Sequence, residues 1–241
     1  MKPVMAAGSL RRVWPALMEV WAGCGGKPVT PHFGPAGLLC DSIEAGEPCS
    51  LLLSANGAHP QRLLSLGRAL SVTKFASNSL CLTVRASAVH PDDNWQTLLG
   101  NPALRLGMST PGCDPCGDYA AALLQLLAEQ WVETGPAIAK RALPLVGGRG
   151  ISRLPAGALA ASWLIDNDLC DLFIGYTSYA PRLRNLPALR VYPLPASVNP
   201  AVSYELALMD EAAAPLARFM TCVEAQQIFA ESGFGPPLEA N

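Results

Sequence analysis

Short apolar runs alternate, almost from the first residue, with longer stretches in which apolar side chains recur every third or fourth position. "KPVMAA" precedes "SLRRVWPALMEVWAG", "KPVTPHFG" precedes "AGLLCDSIEAG", and "PCSLLLSA" precedes "HPQRLLSLGRAL". A short unbroken apolar run suits a buried strand, and a three-to-four spacing suits a helix with one buried face. Strand and helix in this rhythm predict an α/β protein with mostly parallel sheets flanked by helices. In the first helix Leu10, Val13, Trp14, Leu17 and Trp21 share one face. Pro15, early in that helix, is expected to remove a hydrogen bond and bend the first turns. Trp14, Trp21, Trp131 and Trp163 all lie on apolar helix faces and are read as core.

A second series follows. "ALRLGMST" (103–110) predicts a strand, "GDYAAALLQLLAEQWVETG" (117–135) a long helix closed by Gly135, "AGALAASWLIDND" (156–168) a helix, and "CDLFIGYT" (170–177) a buried strand. "LRVYPLP" and "VSYELALMD" predict two more strands, "APLARFMTCVEAQQIFAESG" a helical stretch, and the Pro/Gly-rich segment 144–157 a loop. Two such series, joined through "NSLCLTVR" and returning through "VSYELALM", predict two lobes linked by two crossing segments. The expected division is residues 1–85 plus 199–241 for the first lobe and 86–198 for the second. The ligand cleft is expected between them, at the carboxyl ends of the strands.

Composition narrows the function. The chain has 241 residues, half of them hydrophobic, enough for a sizeable core. A formal net charge of −2 with 15% charged residues lacks the basic excess that phosphate-backbone binding requires, so nucleic acid is not an expected partner. No stretch reaches the roughly 20 consecutive apolar residues of a membrane-spanning helix. Arg11 and Arg12 interrupt the N-terminal apolar patch where a secretory h-region would continue, so no signal peptide is read here. Eight cysteines, mostly within apolar runs, read first as small buried hydrophobes, with disulfide pairing left open.

Three times a strand runs into a small-residue turn and a helix start: "AAGS" at 6–9, "FGPAG" at 33–37 and "STPGCDPCGD" at 109–118. The first turn of a helix has unpaired N–H donors and about half a positive charge, so it accommodates an anion without a cationic side chain. Taken singly, each turn reads as ordinary capping and punctuation, with Ser9 a plain N-cap. Three on one side of an expected cleft point to an anion site.

The ordered set "MAAGSL", "FGPAGLLCDSIEAGEP" with "LLLSA", "FASNSLCL", "LRLGMSTPGCDPCGDYA", "DLFIGYTSYA" and "AQQIFAESGFGPP" resembles the molybdate-binding substrate-binding proteins of ABC transporters. The likeness spans nearly the whole chain. It implies a two-lobed type II periplasmic-binding-protein fold that holds a tetrahedral oxyanion, molybdate or tungstate, with neutral hydroxyls and backbone N–H groups. It also implies a membrane permease as partner, an extracytoplasmic location, a monomer, no cofactor, and no direct cation ligands. By position it assigns Ser9 (hydroxyl and N–H), Ala36 (N–H), Cys116 (N–H) and Tyr176 (phenol), with a further donor around Pro155 to Ala158. Ala36 stands where the family commonly has serine, so one hydroxyl is missing unless water, Ser109 or Thr110 replaces it. Cys116 likewise replaces a small residue.

Competing chemistry is thinner. "CDPC" at 113–116 is a C-x-x-C motif at a helix start, where a thiolate is stabilised, so a thiol oxidoreductase using Cys113 and Cys116 is an alternative. A cytosolic oxyanion-sensing domain of the same fold is another. His32, His59 and His90 are widely separated, although His90 with Cys113 and Cys116 is a conceivable metal set. "GGRG" at 147–150 lacks a dinucleotide pattern, and no nucleophile elbow or P-loop occurs. Asp114 and Asp118 flank a helix start, where acids routinely complement the dipole. The chain is not read as an enzyme.

Overall fold

β1 (Val4–Ala7) consists of four apolar residues, all buried, as an interior strand covered on both faces demands. In the computed structural model, which describes residues 2–151, 154–155 and 157–239, the chain then alternates as its pattern predicts. In order come α1 (Trp14–Gly23), β2 (His32–Gly34), α2 (Ala36–Glu44), β3 (Leu51–Ser54), α3 (Ala58–Ser65), β4 (Ser71–Asn78), β5 (Leu80–Arg85), α4 (Trp95–Gly100), β6 (Leu106–Ser109) and α5 (Pro115–Gln130). There follow α6 (Gly135–Arg141), β7 (Leu143–Val146), α7 (Ala160–Asp166), β8 (Leu172–Tyr176), α8 (Ala180–Leu183), β9 (Leu189–Pro193), β10 (Val202–Leu208), α9 (Ala214–Phe219) and α10 (Val223–Glu231).

The chain divides into two units, one running through Asn78 and resuming at Val202, the other spanning Ser79–Ala201. The first has a sheet ordered β2-β1-β3-β10-β4, the second a sheet ordered β7-β6-β8-β5-β9. β1 pairs in parallel with β2 and β3, and β6 in parallel with β7 and β8. One strand in each sheet runs against its neighbours: β10 against β3 and β4, and β5 against β8 and β9. Each is the first strand after the chain passes from one unit to the other. The sheets are therefore mixed rather than simply parallel.

The unit boundaries differ from the expected division at 85 and 199. β5 falls in the second unit because both its strand partners lie there, and Asn199 joins it by exchanging hydrogen bonds with Leu80. Other local expectations shift for local reasons. Pro15 stands in the first turn of α1, where its missing N–H breaks no helical bond, so it opens the helix instead of bending it. Gly135 begins α6, followed by Pro136, instead of closing α5. Residues 144–146, expected in a loop, belong to edge strand β7, and the C-terminal helical stretch splits into α9 and α10. Trp14 is core, whereas Trp131 is only partly buried and stacks on Trp95 with centroids 5.4 Å apart.

In the first unit an aromatic cluster joins α10 to the sheet: Phe75 and Tyr204 meet edge-on at 6.0 Å, Tyr204 and Phe234 at 5.4 Å, and Phe75 contacts Phe229. Tyr204 is completely buried there, which gives its hydroxyl a fixed position.

Candidate functional site

Ser9 and Ala36 are brought together by strand register. Ala7 of β1 pairs with Gly34 of β2, and each candidate lies two residues beyond its member of that pair. The strand ends pack closely, since a Cβ on Gly8 would lie 3.8 Å from the Gly34 carbonyl. Ser9 sits in a single 3-10 turn and does not cap it. Its Oγ instead accepts a hydrogen bond from Tyr204 Oη at 2.9 Å. An acceptor bond from the phenol leaves the serine proton available for donation. Tyr204 was not singled out in the sequence, because nothing in "VSYELALM" marks which tyrosine faces residue 9, 195 positions away.

α2 opens at Ala36 with Pro35 as its N-cap and no capping side chain. Ala36 and Gly37 are both buried, so the start of the helix is lined by small residues. Arg11, just past Ser9, holds its guanidinium 4.8 Å from the centre of the Phe33 ring, placing one cation beside the β2 end. The neutral-donor expectation did not include that charge.

In the second unit β6 and β8 run parallel and side by side, so the segment after Ser109 and the end of β8 at Tyr176 lie on the same edge. Tyr176 and Cys116 are both buried, and the Cys116 thiol contacts the Tyr176 backbone. Cys81 joins them, its Sγ 3.7 Å from the Tyr176 carbonyl oxygen. Gly117 permits this packing. A Cβ there would lie 2.5–2.6 Å from backbone atoms of Ser109, Thr110 and Pro111, so α5 can abut the β6 end only with glycine.

The start of α5 contrasts with that of α2. Asp114 is its N-cap, and the Cys116 N–H donates to Asp114 Oδ1 at 3.1 Å. The same N–H is the one the resemblance assigns to a ligand. Asp118 in turn accepts from the Gly112 N–H at 2.6 Å, pinning the loop before the helix. Both acids thus do what first-turn acids ordinarily do. Burial pushes the Asp114 carboxyl up to about 6, with Asp118 adding repulsion, against hydrogen bonds from Cys116 and Ser109 that favour its charge. Gly147, at φ 76°, closes over it, since a Cβ there would lie 2.5 Å from Asp114 Oδ2.

The proposed substitutes for the missing hydroxyl are otherwise engaged. Thr110 Oγ1 donates to the Val146 carbonyl at 2.8 Å, and Ser109 bonds to Asp114, both within the second unit. Of the expected donor around 155–158, Ala156 lies outside the described residues, and the Ala158 N–H donates to the Pro155 carbonyl at 3.1 Å.

Of the C-x-x-C pair, Cys116 is buried and Cys113 partly so. Among the described residues all eight cysteines are free, so Cys113 and Cys116 form no disulfide. Burial raises the Cys116 thiol well above its ordinary range and takes Cys81, Cys40 and Cys49 to about 11. Position at a helix start stabilises a thiolate, but burial and then the neighbouring Asp114 charge raise the Cys116 thiol. His90, Cys113 and Cys116 do not gather either: among the described residues no three His, Cys, Asp or Glu side chains form a group able to hold a metal ion. No described helix is long and apolar enough to cross a membrane.

Comparison with known proteins agrees with this architecture. Residues 3–235 match the family model described as bacterial extracellular solute-binding protein. An uncharacterized protein of Pasteurella multocida is 37% identical over 235 residues, covering 97% of this chain and 98% of its own. Among solved structures, the periplasmic molybdate-binding protein of Azotobacter vinelandii superposes with a TM-score of 0.77 at 18% identity, over 99% of this chain and 100% of that one. The sulfate-binding protein SubI of Mycobacterium tuberculosis gives 0.74 at 17%, over 98% and 86%. At these identities the two structures establish the shared fold.

Proposed function

The chain belongs to the bacterial extracellular solute-binding protein family, and from that premise we propose that its solute is a tetrahedral oxyanion, molybdate or tungstate first. In this reading the protein, a monomer outside the cytoplasm, delivers the anion to the membrane permease of an ABC transporter. Ser9 and Ala36 contribute donors from the first unit, Cys116 and Tyr176 from the second. The observation that carries the reading is the start of α2. It is a buried helix N-terminus of small residues without a capping side chain, beside a serine whose hydroxyl is oriented by Tyr204.

The mechanism is binding rather than bond making. An oxyanion leaving water for a ring of oriented neutral dipoles loses hydration, and the stronger electrostatics of a dry site offset that loss. Molybdate, tungstate and sulfate share charge and shape, so size has to separate them. The missing hydroxyl at Ala36 removes one bond worth roughly 1.5–3 kcal/mol when directed at an ion. Solved neighbours on this fold include both a molybdate-binding and a sulfate-binding protein, which is why the anion has to be determined directly.

The test is isothermal titration calorimetry of the chain with molybdate, tungstate, sulfate and phosphate. One-to-one binding of the first two, lost in Ser9→Ala and weakened in Tyr176→Phe, is the expected result. Silence toward all four anions would refute the reading. Eight free thiols suit a reducing compartment, so a cytosolic oxyanion-sensing domain is the second reading, and cell fractionation of the native protein separates the two.

A further inference from the structure

Arg11 ends the 3-10 turn that contains Ser9, its N–H donating to the Gly8 carbonyl at 3.2 Å. Its exposed guanidinium lies 4.8 Å from the centre of the Phe33 ring, so an aromatic face holds the charge in place. That ring is itself fixed. Phe33 meets the buried Trp14 edge-on at 6.1 Å, and Trp14 Nε1 donates to the Val29 carbonyl at 2.8 Å. Phe33 also directly precedes Gly34, the β2 residue that pairs with Ala7 of β1. Two residues of chain and the length of one side chain keep the guanidinium within roughly 15 Å of Ser9. Among the described residues no carboxylate pairs with Arg11, so its charge is not cancelled locally.

We propose that Arg11 is a steering residue, a fixed cation that draws doubly charged oxyanions to the first unit's donors and speeds association without touching the bound ion. This inference rests on the oxyanion reading given above. The donors assigned to the anion in this unit, the Ser9 hydroxyl and backbone N–H groups, are neutral and act only at contact. The chain as a whole carries a formal net charge of −2, which does not attract a dianion. A unit charge facing a dianion across roughly 15 Å of water raises its local concentration at least about twofold when salt is low. A singly charged anion gains only the square root of that factor, so the cation favours the doubly charged class. The effect survives at about 0.01 M salt, where the Debye length is about 30 Å, and is lost at about 1 M, where it is about 3 Å. A charge at the rim of a site changes the association rate and its salt dependence, whereas a buried contact changes dissociation.

The experiment is stopped-flow tryptophan fluorescence of the wild-type chain, Arg11→Gln, Arg11→Glu and Arg11→Lys mixed with sodium molybdate, at about 0.01 M and about 1 M salt. At low salt the association rate is expected to fall about twofold in Arg11→Gln and about fourfold in Arg11→Glu, and to stay at the wild-type value in Arg11→Lys, which keeps the charge. At high salt the four rates converge, and the dissociation rate is the same throughout. Equal association rates at low salt, a lysine variant as slow as the glutamine one, or a loss carried by dissociation and insensitive to salt each overturn the inference and leave the oxyanion reading standing. Calorimetry of the same four proteins separates the two claims. No binding of molybdate, tungstate, sulfate or phosphate by any of them, with thermal melts showing all folded, overturns the oxyanion reading and this inference with it.

Discussion

Removing the Ser9 hydroxyl tests both the site and the packing that positions it. Tyr204 is fully buried, and its phenol donates to Ser9 Oγ at 2.9 Å. Ser9→Ala takes that acceptor away from a phenol that stays in the core, a change that costs about 1–3 kcal/mol. Tyr204→Phe keeps the ring and its contacts with Phe75 and Phe234 and removes only the donor, costing about 1 kcal/mol. With both changes made, the mismatch disappears, and the pair costs less than the sum of the singles by about 1 kcal/mol. Urea unfolding of the four proteins measures this coupling. Oxyanion titration of the same four measures function: binding vanishes in both Ser9→Ala proteins, and Tyr204→Phe weakens it about three- to tenfold by releasing the serine rotor. Stability effects that add within about 0.3 kcal/mol would refute the linkage.

Two further outcomes follow from the second unit. Asp171 accepts from Arg105 Nε and Nη2 at 2.9 Å and from Arg85 Nε at 3.3 Å, and the Arg105 bonds hold its carboxyl down at about 2. A depressed carboxylate contributes stability that is present above the unfolded value near pH 4 and is lost as pH falls toward 2. With Arg105 nearly half exposed, the contribution is about 1–2 kcal/mol. Asp171→Asn should therefore lower stability at neutral pH and flatten the acid limb of thermal melts between about pH 4 and 2; an unchanged acid limb would contradict the assignment. Gly117→Ala places a Cβ 2.5 Å from the Thr110 carbonyl carbon, against backbone that cannot rotate aside. It should cost about 1–3 kcal/mol in urea unfolding and displace the Cys116 N–H, so that oxyanion affinity falls as well. Full retention of affinity would show that the α5 start does not contact the anion.

Much of the architecture was legible in the chain because burial leaves a periodic mark. The four-residue apolar run of β1, the three-to-four spacing of α2 and the long face of α5 each announce an element, and their alternation announces an α/β protein. The helix starts at 33–37 and 109–118 were legible too, since helix starts that lack bulky residues are a local property, whereas 6–9 leads only into a 3-10 turn and α1 begins at Trp14. Register was not. That Ala7 pairs with Gly34, and so carries Ser9 beside Ala36, depends on strand pairing, which no local pattern specifies. The same holds for β5, whose affiliation follows from its partners β8 and β9 and not from its composition.

Charge and donor assignment depended on tertiary structure most of all. The sequence by itself determined that residues 113–118 place two acids and two thiols at a helix start, and dipole reasoning left a reactive thiolate open as an alternative. Only the folded packing of α5 against β6 and β8 buries Cys116, raises its thiol, and sets Asp114 on its N–H. Likewise only the fold brings Tyr204 across 195 residues to Ser9. Local sequence encodes which groups are present and which way a segment tends to fold. The free energy of a buried charge or hydrogen bond depends on what lies within a few ångströms, and that neighbourhood is assembled from distant parts of the chain.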